Sequence, residues 1–389
     1  MLAERIIYLD NNASTEPDPD VVMAVSDAMF RFPANPASQH EAGIAAANAV
    51  EAARGSITEL LGCRAHEVVF TSGATESNNL ALNGAWEASR EIKTNRNRIV
   101  VGATEHPSVH EVAARLASLG ADIVVVSVDR MGVLDLDQIE EVVNDRTLVI
   151  SMMSANNETG VISPLTKIVE IAQRHGAFVH CDATQAIGRL PVCFAEMGFD
   201  LMSISSHKMH GPKGVGALIA SRHVQLVGIM RGGGQERGLR PGTLNTPGII
   251  GFGVAARLAA ERLGEAQNIA MRRDKFVDTV KSMIVGVEEN GVGAPRLPNT
   301  ANLRFVGADA EAVMAGIPQV ACSTGAACSS SVPTPSPVLL AMGLSRIAAS
   351  ESLRFSLSRN TTEGELNIAA DMISRSVEYV RKFQEVVAD

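Results

Sequence analysis

Short β-branched or apolar runs alternate with stretches of helical periodicity across the first 220 of the chain's 389 residues, and few folds accept that pattern. Strands are expected over 68–71, 99–101, 123–128, 148–153, 177–180, 201–205 and 215–220. Helical patterns fall between them over about 76–88, 107–119 and 165–175, with Pro107 at a helix start and Gly120 and Gly176 as stops. Such alternation implies βαβ units, so the expected class is α/β, with a mainly parallel seven-stranded sheet covered by helices on both faces. From 251 to 284 the pattern becomes one long helical stretch, broken only at Gly264. Strand-like runs at 302–305 and 353–357 then flank a Pro-rich segment at 332–337, which suggests a smaller α+β domain. At roughly 150 residues per domain, the length suits two or three. The large domain is placed at 15–255 and the small one at 1–14 with 256–389, carrying a cysteine-bearing loop at about 322–337.

Composition narrows the partners. Lys+Arg of 34 against Asp+Glu of 43 leaves a net charge of -9, which argues against direct nucleic-acid contact. No apolar run approaches the ~18–20 residues of a membrane span, and residues 1–10 hold no apolar signal segment, so a cytoplasmic protein is expected. Cys63, Cys181, Cys193, Cys322 and Cys328 are an odd count without a CxxC pair, which fits neither a disulfide framework nor a zinc site.

In open α/β sheets ligands sit beyond the carboxyl ends of the strands. The first strand is followed by Ser72-Gly73-Ala74-Thr75, a small-residue turn into a helix N-terminus that can cradle an anion. It is neither a P-loop nor a GxGxxG turn. Later strands are followed by Thr104-Glu105-His106, Asn156-Asn157-Glu158, Asp182-Ala183-Thr184-Gln185 and Ser205-Ser206-His207-Lys208. His180-Cys181-Asp182 is not read as a metal site, because neighbours on a strand point to opposite faces. An imidazole, a carboxylate and a lysine at the ends of one sheet suit pyridoxal-phosphate chemistry. The lysine holds the aldehyde as a Schiff base, the carboxylate pairs with the pyridinium nitrogen, and a flat ring stacks on the cofactor. Lys208, Asp182 and His106 fill those roles, with the Thr75 and Ser205 loops at the phosphate.

With these strings the chain resembles a cysteine desulfurase of the NifS/IscS type, in the class V aminotransferase family of fold-type I pyridoxal-phosphate enzymes. Further matching strings are Asn35-Pro36-Ala37-Ser38, Gly211-Pro212-Lys213-Gly214, Glu236-Arg237-Gly238, Gly242-Thr243 and Arg354-Phe355-Ser356-Leu357. The resemblance implies that Lys208 carries the cofactor, Asp182 pairs with its ring nitrogen, Gln185 bonds the ring oxygen and His106 stacks and moves protons. It further implies that Ala74, Thr75, Ser205 and His207 bind phosphate, with Thr243 reaching across from the second subunit of a homodimer. Asn157 and Arg354 would hold the substrate carboxylate.

The segment 322–331 is small and polar throughout and reads as a mobile loop with an exposed thiol. Family members place their persulfide-forming cysteine in a Ser-Ser-Gly-Ser-Ala-Cys loop, which corresponds here to Ser323-Thr324-Gly325-Ala326-Ala327-Cys328. Cys328 is thus the expected nucleophile, while Cys63, Cys181 and Cys193 read as structural thiols. The implied reaction converts L-cysteine to L-alanine and passes the sulfur from a Cys328 persulfide to an acceptor protein. That acceptor would serve iron–sulfur clusters, thiolated tRNA or DNA phosphorothioation. Residues 240–247 lean toward the DNA-phosphorothioation members. The alternatives are a selenocysteine lyase, another class V aminotransferase, or a non-catalytic α/β scaffold that carries sulfur or binds a phosphate ligand.

Overall fold

The computed structural model describes residues 6–324 and 335–388. The strands are β1 (Ile7–Tyr8), β2 (Val68–Thr71), β3 (Arg98–Gly102), β4 (Asp122–Val126), β5 (Thr147–Met153), β6 (Phe178–Asp182), β7 (Leu201–Ser205), β8 (Gly216–Ala220), β9 (Val287–Glu289), β10 (Thr300–Phe305), β11 (Val320–Ala321) and β12 (Ser352–Ser356). The helices are α1 (Pro19–Arg31), α2 (Glu41–Leu61), α3 (Ala74–Glu91), α4 (Pro107–Ser118), α5 (Leu136–Val142), α6 (Leu165–His175), α7 (Phe194–Met197), α8 (Thr246–Glu261), α9 (Ala266–Met283), α10 (Ala310–Ala315), α11 (Pro337–Ala341), α12 (Arg346–Ser350) and α13 (Glu363–Ala388).

Among the described residues the main sheet has seven strands in the order β2-β8-β7-β6-β5-β3-β4. It is parallel except for β8, which runs antiparallel to both β2 and β7. Its central strands are buried on both faces, so β5 (TLVISMM) and β7 (LMSIS) read as continuous rather than alternating burial. Gly176 closes α6 in the left-handed conformation at φ 61°, as its place in the sequence requires. The long helical stretch divides as expected near Gly264 into α8 and α9, joined by a 3-10 turn at Leu263–Glu265. A separate antiparallel sheet, β12-β10-β9, packs with α9 and α13 around Phe276, Phe305 and Phe355, which form their own apolar cluster. The N-terminal strand β1 joins this second unit by pairing with β11, and the chain after it then runs back to the main sheet. Residues 10–15 thus bridge the two sheets beside the strand ends.

Candidate active site

A cavity of about 560 Å³ opens where the main sheet's strand ends meet residues 12–14 and Arg354 of the second sheet. At one end lies the turn into α3. Gly73 sits at φ 155°, ψ -179°, a region open essentially to glycine alone. The turn also lies so close to β8 that a Cβ on Gly216 would fall 2.6 Å from the Gly73 Cα. Thr71 Oγ1 donates to the Gly73 carbonyl at 3.1 Å, and Glu76 accepts the Ser72 N–H at 2.7 Å, so the turn is braced from both sides. No side chain caps α3, which leaves the first-turn N–H groups at Ala74 and Thr75 as natural donors to an anion.

At the centre stands Asp182, buried at the end of β6. Its oxygens accept from Asn78 Nδ2 at 2.8 Å and the Thr184 N–H at 3.0 Å. Among the described residues no cationic side chain pairs with it. His106 caps α4 and lines the same cavity. Burial, above all, holds its imidazole below the usual range. Asp182 opposes this, while Lys208 and His110 add to it. Lys208 follows β7 on a short 3-10 turn, and its Nζ donates to the carbonyls of Asn12 at 2.6 Å and Ala13 at 2.7 Å. His207 beside it bonds Ser14 Oγ at 3.1 Å and is pushed down to about 4 by burial and then by Lys208, Lys213 and Arg189.

Gln185 is fixed at both ends of its amide. Nε2 donates to the Asn12 carbonyl at 3.0 Å, and Oε1 accepts from Arg189 Nη1 at 2.7 Å. Arg189 is itself buried without a carboxylate partner among the described residues, and burial brings it down to about 10. At the far wall, Arg354 on β12 is 3% exposed. Its Nη2 pairs with Asp10 at 2.6 Å and its Nη1 donates to the Asn157 carbonyl at 3.1 Å. The Nε proton, also buried, has no partner among the described residues. A buried guanidinium with an idle N–H beside a cavity is ready for a carboxylate.

Ten of the expected residues therefore line one cavity: Ala74, Thr75, His106, Asn157, Asp182, Gln185, Ser205, His207, Lys208 and Arg354. Thr243 does not; it is exposed on the loop before α8. Cys328 lies outside the described residues. Of the other thiols, Cys181 is fully buried, and burial pushes Cys63 and Cys322 up to about 12. Cys193 precedes α7 and is only partly buried. His180 is held between Ser151 Oγ at 2.8 Å and Ser203 Oγ at 2.9 Å, and no cluster of metal-ligating side chains occurs among the described residues. No helix there is long and apolar enough to cross a membrane.

Sequence reasoning missed Asn12 and Ala13, whose contribution is backbone carbonyls, and Asn78, Ser108 and Arg189, which act through other side chains. The small polar run Asn11-Asn12-Ala13-Ser14 after a short strand was the available signal.

With this geometry in view, comparison places the chain. The family described as aminotransferase class-V matches residues 7–368. A cysteine desulfurase of Frankia sp. (strain EuIK1) is 44% identical over 396 aligned positions, covering 98% of this chain and 93% of that protein. A solved NifS-like protein superposes with a TM-score of 0.89 at 33% identity, covering 96% of this chain and 100% of the other. The crystal structure of DndA from Streptomyces lividans gives a TM-score of 0.76 at 36% identity, over 88% and 97% of the two chains. The chain belongs to the class V aminotransferase family. Within that family it stands with the cysteine desulfurases, which it matches along nearly its whole length.

Proposed function

We propose that this protein is a pyridoxal-phosphate-dependent cysteine desulfurase that converts L-cysteine to L-alanine and carries the sulfur as a persulfide on Cys328. The observation that carries the reading is Asp182, a buried carboxylate served among the described residues by neutral donors alone, in one cavity with Lys208, His106 and an uncapped helix N-terminus. Asp182 would pair with a protonated pyridine nitrogen, and the N–H groups of Ala74 and Thr75 with the Ser205 and His207 side chains would hold a phosphate. When bound, the cofactor supplies an electron sink that makes the α-proton of an amino acid acidic.

The chain's own residues do the rest. Lys208 would hold the cofactor through Nζ and, once released, would take the α-proton there. Gln185, pinned by Arg189, has a second Nε2 proton for the ring oxygen. Arg354, with Asn157, orients the substrate carboxylate. The Cys328 thiolate attacks the sulfur of L-cysteine, the carbon–sulfur bond breaks, and a proton on the former sulfur-bearing carbon together with the α-proton handed back from Lys208 Nζ completes L-alanine. Only a few per cent of a thiol of ordinary pKa is ionised at pH 7, so the cationic cavity has to raise that fraction. Cys328 stands five positions after Ser323, whose N–H donates to the Arg354 carbonyl at 3.2 Å. A chain of that length spans at most about 17 Å, enough to bring the thiol to the cavity wall.

The site is completed by a second copy of the chain, which contributes Thr243. The exposed apolar side chains of α1, with Phe30 at 83% and Met29 at 66%, suit burial against that copy. The sulfur then passes to an acceptor protein, since a net charge of -9 disfavours a nucleic-acid surface. The test is L-alanine formed from L-cysteine and dithiothreitol by the cofactor-loaded protein, with Cys328→Ala alongside. Alanine from the wild type alone is expected; none from a yellow wild-type protein contradicts the reading.

A further inference from the structure

His106 is tied into a chain of buried hydrogen bonds that its stacking role does not require. Its Nδ1 accepts the Ser108 backbone N–H at 3.1 Å and lies 2.8 Å from Ser108 Oγ. Asn78 Nδ2 reaches Ser108 Oγ at 2.9 Å and Asp182 Oδ2 at 2.8 Å. Ser108 and Asn78 are both buried. The donor directions follow from the groups themselves. A backbone N–H can only donate, so Nδ1 presents a lone pair and the neutral ring carries its proton on Nε2. Turning the Asn78 amide over would set its oxygen against the Asp182 carboxylate, so Nδ2 is the atom that faces it. With the two Nδ2 protons directed at Asp182 and Ser108, the Ser108 hydroxyl is left to donate to Nδ1.

We propose that Asn78 and Ser108 are positioning residues that hold His106 as the neutral Nε2–H tautomer, in register with Asp182, so that its ring offers the cavity a proton donor and not a base. The assignment rests on His106 belonging to the reacting site proposed above. Protonating Nδ1 would turn an N–H toward the Ser108 N–H, break that bond and force the Ser108 hydroxyl to reverse from donor to acceptor, which disfavours the imidazolium. The titratable groups around the ring are Lys208 after β7, His110 on the same helix and Asp182 on β6. Burial and the two basic groups work in the same direction as the hydrogen bonds, and Asp182 alone opposes them. No partner of Nε2 occurs among the described residues, and the ring lines the cavity.

Nitrogen NMR of the full-length, histidine-labelled protein reads tautomer and titration midpoint without turnover, the His106 signal being identified by its loss in His106→Gln. The wild type is expected to show the Nε2–H form at pH 7, with a midpoint below the ordinary ~6.5. Ser108→Ala removes a donor to the neutral form and raises that midpoint by about 0.5–1 unit, and Asn78→Ala raises it by less. Ser108→Thr restores the wild-type value. An Nδ1–H ring or an imidazolium in the wild type at pH 7 overturns the proposal, as does an unmoved midpoint in Ser108→Ala. Should Ser108→Ala not fold, the wild-type tautomer decides. The expected tautomer in a protein that makes no alanine would refute the desulfurase reading and leave this assignment standing.

Discussion

Arg354 holds Asp10 with one nitrogen and the Asn157 carbonyl with another, so the direction of its remaining N–H groups is set before any ligand arrives. A lysine keeps the charge but not the fork. Arg354→Lys is therefore predicted to raise KM for L-cysteine by about 30-fold, the equivalent of a charge-assisted hydrogen bond of roughly 2 kcal/mol, with a smaller change in kcat. Steady-state kinetics check it, and an unchanged KM would detach Arg354 from the substrate. The thiols make a second residue-scale prediction. Burial pushes Cys322 up to about 12, so it is a poor nucleophile at neutral pH even though it precedes the Cys328 segment. Cys322→Ser is predicted to retain alanine formation within about two-fold, whereas loss of activity would move the nucleophile.

The loop that carries Thr243 is fixed at its start by a buried ion pair. Arg54 on α2 meets Glu236 at 2.8 Å, with side chains 9% and 4% exposed, and stacks over Phe70 of β2 at 4.5 Å. Glu236 also accepts the Phe70 N–H at 2.7 Å while holding φ 44°. Glu236→Ala leaves Arg54 buried without this partner and is predicted to cost about 3 kcal/mol in urea unfolding; a surface-like effect under 1 kcal/mol would refute the buried pair. None of this was legible beforehand, because Arg54 and Glu236 are 182 residues apart and join only through the fold. What was legible had local causes. Continuous apolar runs marked β5 and β7, and glycine stops marked α6, because burial on both faces and left-handed caps leave short-range signatures. The antiparallel sense of β8 was not readable, since a strand's direction is set by its connection and not by its residues. The same holds at the site. Lys208, Asp182 and His106 announced themselves by type and by following strands. Asn12 serves through a carbonyl that any residue possesses.

For the molecule as a whole, two consequences follow from charge and surface. His180 is wholly buried and held down to about 4 by desolvation, against the opposing influence of Asp182. A base whose folded pKa lies below its unfolded value of ~6.5 stays neutral in the folded state, so protons favour the unfolded chain. Stability is predicted to be flat in this contribution above about pH 6.5. It falls as pH drops toward 4, with a slope approaching 1.4 kcal/mol per unit, and denaturation at fixed pH steps, comparing His180→Gln, checks it. A pH profile identical in the variant would contradict it. The second consequence concerns assembly: Phe30→Asp on α1 is predicted to turn the proposed dimer into a monomer in sedimentation velocity and to weaken cofactor retention, because the role proposed for Thr243 requires a second copy. The central claim is that the sulfur of L-cysteine comes to rest on Cys328. Its most direct test is peptide mass mapping of the cofactor-loaded protein after L-cysteine is added without reductant. One added sulfur atom on the Cys328 peptide, and none on those of Cys63, Cys181, Cys193 or Cys322, is the predicted result; alanine formed with the sulfur on another cysteine, or on none, would contradict it.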